Sequence, residues 1–212
     1  RTSLVVIANP NSPTGTIFNQ NDLVRLIKKA REYNTYVLID ECYYDYSKIT
    51  IVNKIIKFPN LIVCRSFSKS GLAGIRAGYL LSNKINISRL SKFRPMYELT
   101  SLSAKFLDYS LRNYKIFQQY INDVLNSKKY FCNKLKLLNL KFYESHANFI
   151  LVEFDTRNKK KLILKELKKN NILVTDETVF PGNKQIIRFS IGPKKYMLSV
   201  LKIIKSKLNS ND

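Results

Sequence analysis

The sequence predicts an α/β protein in which a mostly parallel sheet is followed by a smaller α+β unit. Three observations carry this. Short apolar runs without polar alternation recur at residues 2–8 (TSLVVIA), 35–39 (TYVLI), 60–64 (NLIVC) and 77–81 (AGYLL). Such runs belong to strands of a sheet covered on both faces. Residues 19–33 lie between the first two runs and carry Leu23, Ile27 and Ala30 at helical spacing. From about Leu99 the pattern turns to long helices.

In order, the loop signals of residues 9–15 (NPNSPTG) end the first strand, and Asn19 or Asn21 can cap the helix that follows. The second run ends in Asp40 and Glu41, the third in Arg65 and Ser66. Residues 101–111 and 114–138 read as helices, 147–154 (ANFILVEF) as a strand and 159–170 as a helix. Residues 172–175 and 186–191 (IIRFSI) read as strands, and 196–208 as a closing helix. The change of pattern puts a domain boundary near residue 110, giving units of residues 1–110 and 111–212.

Composition narrows the classes. Over 212 residues, 45% are apolar and 12% aromatic, which is globular and not disordered. No apolar run approaches the roughly 20 residues that span a bilayer, so no membrane partner is expected. The net charge of +22 could signal nucleic acid. However, the lysines are spread over many segments alongside abundant Asn, Ile, Tyr and Phe, the set that AT-rich codons favour, so none is expected. Cys42, Cys64 and Cys132 are sparse, odd in number and without CxxC spacing, which fits a reducing cytoplasm and no disulfide framework. His146 is the only histidine; it leaves no multi-His metal site and argues against a Ser/His/Asp triad. The chain begins at Arg1 with a strand pattern at once, and reads as a piece of a longer protein.

Polar groups gather just after the strand runs, where open α/β sheets place their ligands. Residues 9–15, 40–43 (DECY) and 66–69 (SFSK) offer carboxylates, a phenol, hydroxyls and a lysine, and Arg76 follows a glycine-containing bend. This set suits a phosphorylated, nitrogen-containing aromatic ring bearing an aldehyde.

The succession NPNSPTG, DECYYDYS, RSFSKSGLAGIRAGY, ANFILVEF and IIRFSIG, spanning residues 3–208, resembles fold type I pyridoxal-phosphate aminotransferases, most closely the histidinol-phosphate aminotransferases and their relatives. The resemblance implies part of a three-layer large domain, a smaller C-terminal domain, pyridoxal 5'-phosphate as cofactor and a homodimer. It also implies transfer of an amino group between an amino acid and a keto acid or phosphorylated keto compound.

By the same resemblance Lys69 would hold the cofactor aldehyde, a task that needs an unprotonated amine. Asp40 would pair with the ring nitrogen and Tyr43 with the ring phenolate oxygen. Ser66, Ser68 and Arg76 would bind the phosphate, for which Arg supplies a planar fork of donors. Arg188 would grip the substrate carboxylate, with Asn148 in the same pocket. Two departures stand out: Ser12 occupies the place of an asparagine before Pro-Thr-Gly, so its hydroxyl or Asn11 must serve, and the step from Lys69 to Arg76 is one residue shorter than in many relatives. Arg94 is either a second anion contact or an exposed helix-flanking residue. A decarboxylase of a phosphorylated amino acid would share every one of these residues. A truncated, non-catalytic basic binding domain is the alternative from another class.

Overall fold

The computed structural model describes residues 1–177 and 184–208, which fall into two compact units, one of residues 1–121 and one of the described residues from 122 onward. The first holds a four-stranded sheet whose spatial order is its chain order. Strands β1 (Leu4–Ala8), β2 (Tyr36–Asp40) and β3 (Leu61–Ser66) are parallel, and β4 (Gly78–Leu81) runs antiparallel to β3. The register aligns Ala8, Asp40 and Cys64 across the carboxyl ends of the three parallel strands. The loops that leave these residues therefore emerge side by side.

Helix α1 (Gln20–Glu32) connects β1 to β2. The Asn19 side chain accepts a hydrogen bond from the Asn21 amide at 2.8 Å, satisfying one of the orphan donors of the first turn. Leu23 and Ile27, one turn apart, are buried against Val37, Ile39, Leu61 and Val63. Burying side chains of this size stabilises by about 1.5–3 kcal/mol each relative to exposure. Sheet coverage is uneven: Ile62, on the other face of β3, is buried, whereas Val6 of β1 is 61% exposed.

The connection from β2 to β3 has only a one-turn helix, α2 (Tyr44–Ser47), and a 3-10 turn at Val52–Lys54. It is fixed instead by polar contacts. The Glu41 carboxylate is 1% exposed. One of its oxygens accepts from the Ile51 amide at 2.8 Å. The other accepts from the Thr50 hydroxyl at 2.8 Å and from Arg65 Nε and Nη2 at 3.0 and 2.9 Å. The Arg65 guanidinium lies 3.5 Å from the centre of the Tyr44 ring, a stacked cation–π contact.

Helix α3 (Lys84–Ser91) follows β4 and has no counterpart in the apolar pattern. Ile85 and Ile87 are exposed, and the helix docks by a polar residue: buried Asn86 donates to Pro59 O at 2.7 Å and to Ser82 Oγ at 2.8 Å. Hydrophobic periodicity cannot register such a contact. Helices α4 (Ser101–Arg112), capped by Thr100, and α5 (Tyr114–Leu137) come next, and the division between units falls inside α5.

In the second unit, β5 (Lys141–Tyr143), β6 (Phe149–Phe154), β7 (Thr175–Glu177) and β8 (Gln185–Ser190) form an antiparallel sheet in the order β5-β6-β8-β7. Helix α6 (Arg157–Lys169) buries Ile163 and Leu167, and α7 (Lys194–Leu208) buries Met197, Val200, Leu201 and Ile204. The strand expected at residues 172–175 lies instead at Thr175–Glu177. The Ile172 amide bonds to Leu167 O at 2.9 Å, after a left-handed Asn171, so these residues close α6 before the strand begins. Strand β5 is three residues long, too short to leave a pattern.

Two outcomes test this scaffold. A Cβ at Gly78 would lie 2.8 Å from the Arg65 carbonyl oxygen, whereas one at Gly74 would meet nothing within 4 Å. Gly78→Ala should therefore lose about 1–3 kcal/mol in urea unfolding, and Gly74→Ala should be neutral or gain up to about 1 kcal/mol. Arg65→Met strands a buried carboxylate and should lose about 3–5 kcal/mol in the same assay. A midpoint like that of the unaltered chain would dismiss the Glu41–Arg65 pair as the tie between β2 and β3.

Candidate active site

At the carboxyl end of β2, Asp40 is half-buried, and its Oδ1 accepts from the Cys42 amide at 2.9 Å. This closes a tight turn and orients the carboxylate. Beside it, on the end of β1, Asn9 is buried and accepts from the Phe18 amide at 2.8 Å, while its own amide bonds to Asp40 O at 2.9 Å. The loop beyond is pinned by Asn11, whose Nδ2 donates to Thr14 Oγ1 at 2.7 Å and whose carbonyl accepts from the Gly15 amide at 2.8 Å. Ser12 is exposed at its tip.

From β3 the chain turns through Ser66 to Lys69. Ser66 Oγ accepts from the Ser68 amide at 3.1 Å, and the 3-10 turn Ser68–Ser70 holds Lys69. Two contacts from the β2 loop grip that turn. Tyr46 donates its hydroxyl to Lys69 O at 2.7 Å, and Ser70 donates to the Asp45 carboxylate. The exposed Lys69 amine lies 5.4 Å from the centre of the buried Tyr43 ring. Gly71 leaves the turn at φ 94°, in the left-handed region open to glycine.

A cleft of about 720 Å³ opens here, within the usual range for small-molecule sites. Cys42, Cys64, Ser66, Ser68 and Arg76 are in its wall. Arg76 is exposed and donates to Ala73 O at 3.4 Å, a weak bond for a group with five donors. Arg94 also lines the cleft, but Glu98 holds it in a two-point pair at 2.7 and 2.5 Å, so its charge is already answered. The Ser66 and Ser68 hydroxyls and the Arg76 guanidinium in this wall suit a phosphate, while Asp40, Tyr43 and Lys69, a carboxylate for a ring nitrogen, a phenol and an amine, stand on the adjoining β2 and β3 turns and not in the wall itself. In the second unit, Arg188 is half-buried on β8 beside Thr175 Oγ1 at 3.4 Å, its guanidinium 5.3 Å from the Phe149 ring centre. The Asn148 carbonyl accepts from the Ile191 amide at 2.8 Å.

Reading by motif missed three features. Glu41 and Arg65 form the buried tie described above, and the Tyr46 and Asp45 contacts hold the lysine turn. The third is the Cys42–Cys64 pair. Cys64 sits opposite Asp40 in the strand register, the one signal from which its place beside Cys42 could have been found. The Cys42 thiol donates to the Cys64 sulfur, which draws Cys64 down to about 7, against the opposing effects of burial and the Asp40 charge. The same hydrogen bond, with burial, pushes Cys42 up.

Iodoacetamide should accordingly modify Cys64 with a midpoint near pH 7, while Cys42 stays unreactive to higher pH. Removing the donor with Cys42→Ala should raise the Cys64 midpoint towards the ordinary thiol value of about 8.5. A midpoint unmoved in that variant would rule out the thiol–thiol bond as its cause.

Among the described residues, no helix is long and apolar enough to cross a membrane. The family model for aminotransferase class I and II matches residues 1–204. The chain is 34% identical over 208 residues to histidinol-phosphate aminotransferase of Caldanaerobacter subterraneus subsp. tengcongensis, covering 96% of this chain and 57% of that protein. It is 35% identical over 210 residues to the enzyme of the same name from Methanocaldococcus jannaschii, covering 97% and 55%. Histidinol-phosphate aminotransferase from Sinorhizobium meliloti, solved in complex with pyridoxal-5'-phosphate, superposes with a TM-score of 0.80 at 25% identity over 96% of this chain and 57% of that one. The chain thus spans somewhat more than half the length of these relatives. With the fold type I architecture and a family match over nearly its whole length, this chain belongs to the class I and II aminotransferases.

Proposed function

We propose that this chain carries the cofactor-holding part of a pyridoxal-phosphate-dependent aminotransferase. The amino group would pass between an amino acid and a keto acid or phosphorylated keto compound of the histidinol-phosphate kind. The observation that carries this reading is the convergence of strand ends. Asp40 leaves β2, Ser66, Ser68 and Lys69 leave β3, and Arg76 returns towards β4. When bound, pyridoxal phosphate supplies an electron-withdrawing ring that stabilises negative charge on the substrate α carbon.

The residues of the chain do the rest. The Asp40 carboxylate, held in direction by the Cys42 amide, keeps a proton on the ring nitrogen. The Ser66 and Ser68 hydroxyls and the Arg76 guanidinium anchor the phosphate. Tyr43, with Asn11 or Ser12, would serve the ring oxygen. Lys69 would hold the aldehyde, and its amine would carry a proton to and from the substrate α carbon. Its turn is gripped by Tyr46 and Asp45, so the amine swings from a fixed base. By the family resemblance Arg188 would take the substrate carboxylate, with Asn148 as a further candidate for substrate binding. The names of the relatives support the phosphorylated amine as donor. A homodimer working in the cytoplasm completes the proposal.

The chain mixed with pyridoxal phosphate, reduced with borohydride and mapped by peptide mass should carry one stable pyridoxyl group, on Lys69. Lys69→Ala should abolish it, and Arg76→Ala should weaken cofactor binding by at least about tenfold, the scale of one charge-assisted phosphate contact. Label scattered over surface lysines, unchanged by Lys69→Ala, would refute the reading for this chain.

A further inference from the structure

We propose that Asp40, Cys42 and Cys64 together form a binding site for a thiophilic divalent cation, of which zinc and cadmium are the natural probes. Among the described residues, a carboxylate oxygen and two sulfurs here lie within 4.8 Å of one another. Tetrahedral zinc with metal–sulfur bonds of about 2.3 Å needs its ligands a little under 4 Å apart, so small rotations of the cysteine side chains close the set.

Three independent features hold it in place. Cys64 is fixed by strand pairing directly across from Asp40. The Cys42 amide donates to Asp40 Oδ1 at 2.9 Å, which folds the chain back so that position 42 comes beside the carboxylate. Both cysteines are free and half-buried, and both line the cleft, which provides the entry path. Two sulfurs and one carboxylate make a borderline-soft donor set, which selects zinc-like ions over magnesium. Three protein ligands leave the fourth position to water or to a molecule in the cleft. Binding releases to solvent whatever protons the two thiols still carry, leaving both cysteines as thiolates on the metal.

The inference stands apart from the proposed function, because its readout needs no cofactor. A Cys132→Ala background, kept reduced and free of pyridoxal phosphate, leaves only the two thiols in question. Titrating cadmium should produce the ultraviolet thiolate-to-cadmium charge-transfer band, saturating at one ion per chain and displaced by zinc but not by a large excess of magnesium. Cys42→Ala or Cys64→Ala should each abolish it, and Asp40→Ala should weaken binding by at least about tenfold, since even outer partners of metal ligands are worth 10–100-fold. In the parent chain, at a pH high enough for iodoacetamide to reach both thiols without the metal, cadmium should also protect Cys42 and Cys64 together, a test that needs no variant at the site. No band, a band surviving in either cysteine variant, displacement by magnesium, or protection of only one thiol would each overturn the proposal.

Discussion

The geometry of the cleft depends on a carboxylate that never reaches it. Glu41 follows Asp40 in the chain and points the other way, into the protein, where Arg65, Thr50 and the Ile51 amide saturate it. A buried ion pair of this kind is weak evidence for net stability, because desolvation of both charges opposes their attraction. Its effect is positional. It joins the first residue beyond β2 to the fifth residue of β3, at the point where both strands release the residues of the cleft. With Glu41 turned inward, the tight turn closed by the Cys42 amide on Asp40 Oδ1 brings Cys42 beside the Asp40 carboxylate.

The consequence runs further along the same loop. Between Glu41 and its second anchor at Thr50 and Ile51 the chain must spend eight residues on the surface of the sheet. It does so in the short helix α2, whose Tyr44 stacks on Arg65 and whose Asp45 and Tyr46 reach the turn around Lys69. The lysine turn is thereby held from one side by β3 and from the other by a loop that Glu41 fixes. A polar tie is suited to this task. An apolar contact would tolerate sliding, whereas two guanidinium nitrogens on one carboxylate oxygen, with the other oxygen on an amide, specify direction.

Much of this was legible in the sequence, and the limits were physical. The parallel strands, α1 and the order of the two units follow from apolar runs and their spacing, which reflect burial directly. The positions of Asp40, Ser66, Lys69 and Arg76 at or just beyond strand ends were legible because they follow apolar runs and fall within strings of recognisable order; the roles given to them are the proposal's. Glu41 was not, because an acid after a strand reads as a solvated turn residue until its partner 24 positions away is known. Helix α3 was hidden for a related reason, since it docks through Asn86 and not through an apolar stripe. The thiol pair required the strand register, and a one-residue slip would have turned Cys64 to the other face. Local pattern reports what each segment buries; it is silent on which polar groups meet.

Asp40 is the residue on which the two proposals converge, and they ask opposite things of it. To hold a protonated ring nitrogen, the carboxylate needs a cationic partner and a cleft that brings one. To join Cys42 and Cys64 around a metal ion, it needs to remain within reach of two sulfurs. Both demands are met by the same orientation, because the Cys42 amide that directs the carboxylate also draws the Cys42 side chain beside it. A cation bound there would neutralise Asp40 and leave the ring nitrogen without its counter-charge; a bound ring would deny the metal its oxygen ligand. Mutual exclusion then follows from one shared carboxylate, by linkage alone and without any movement of the fold.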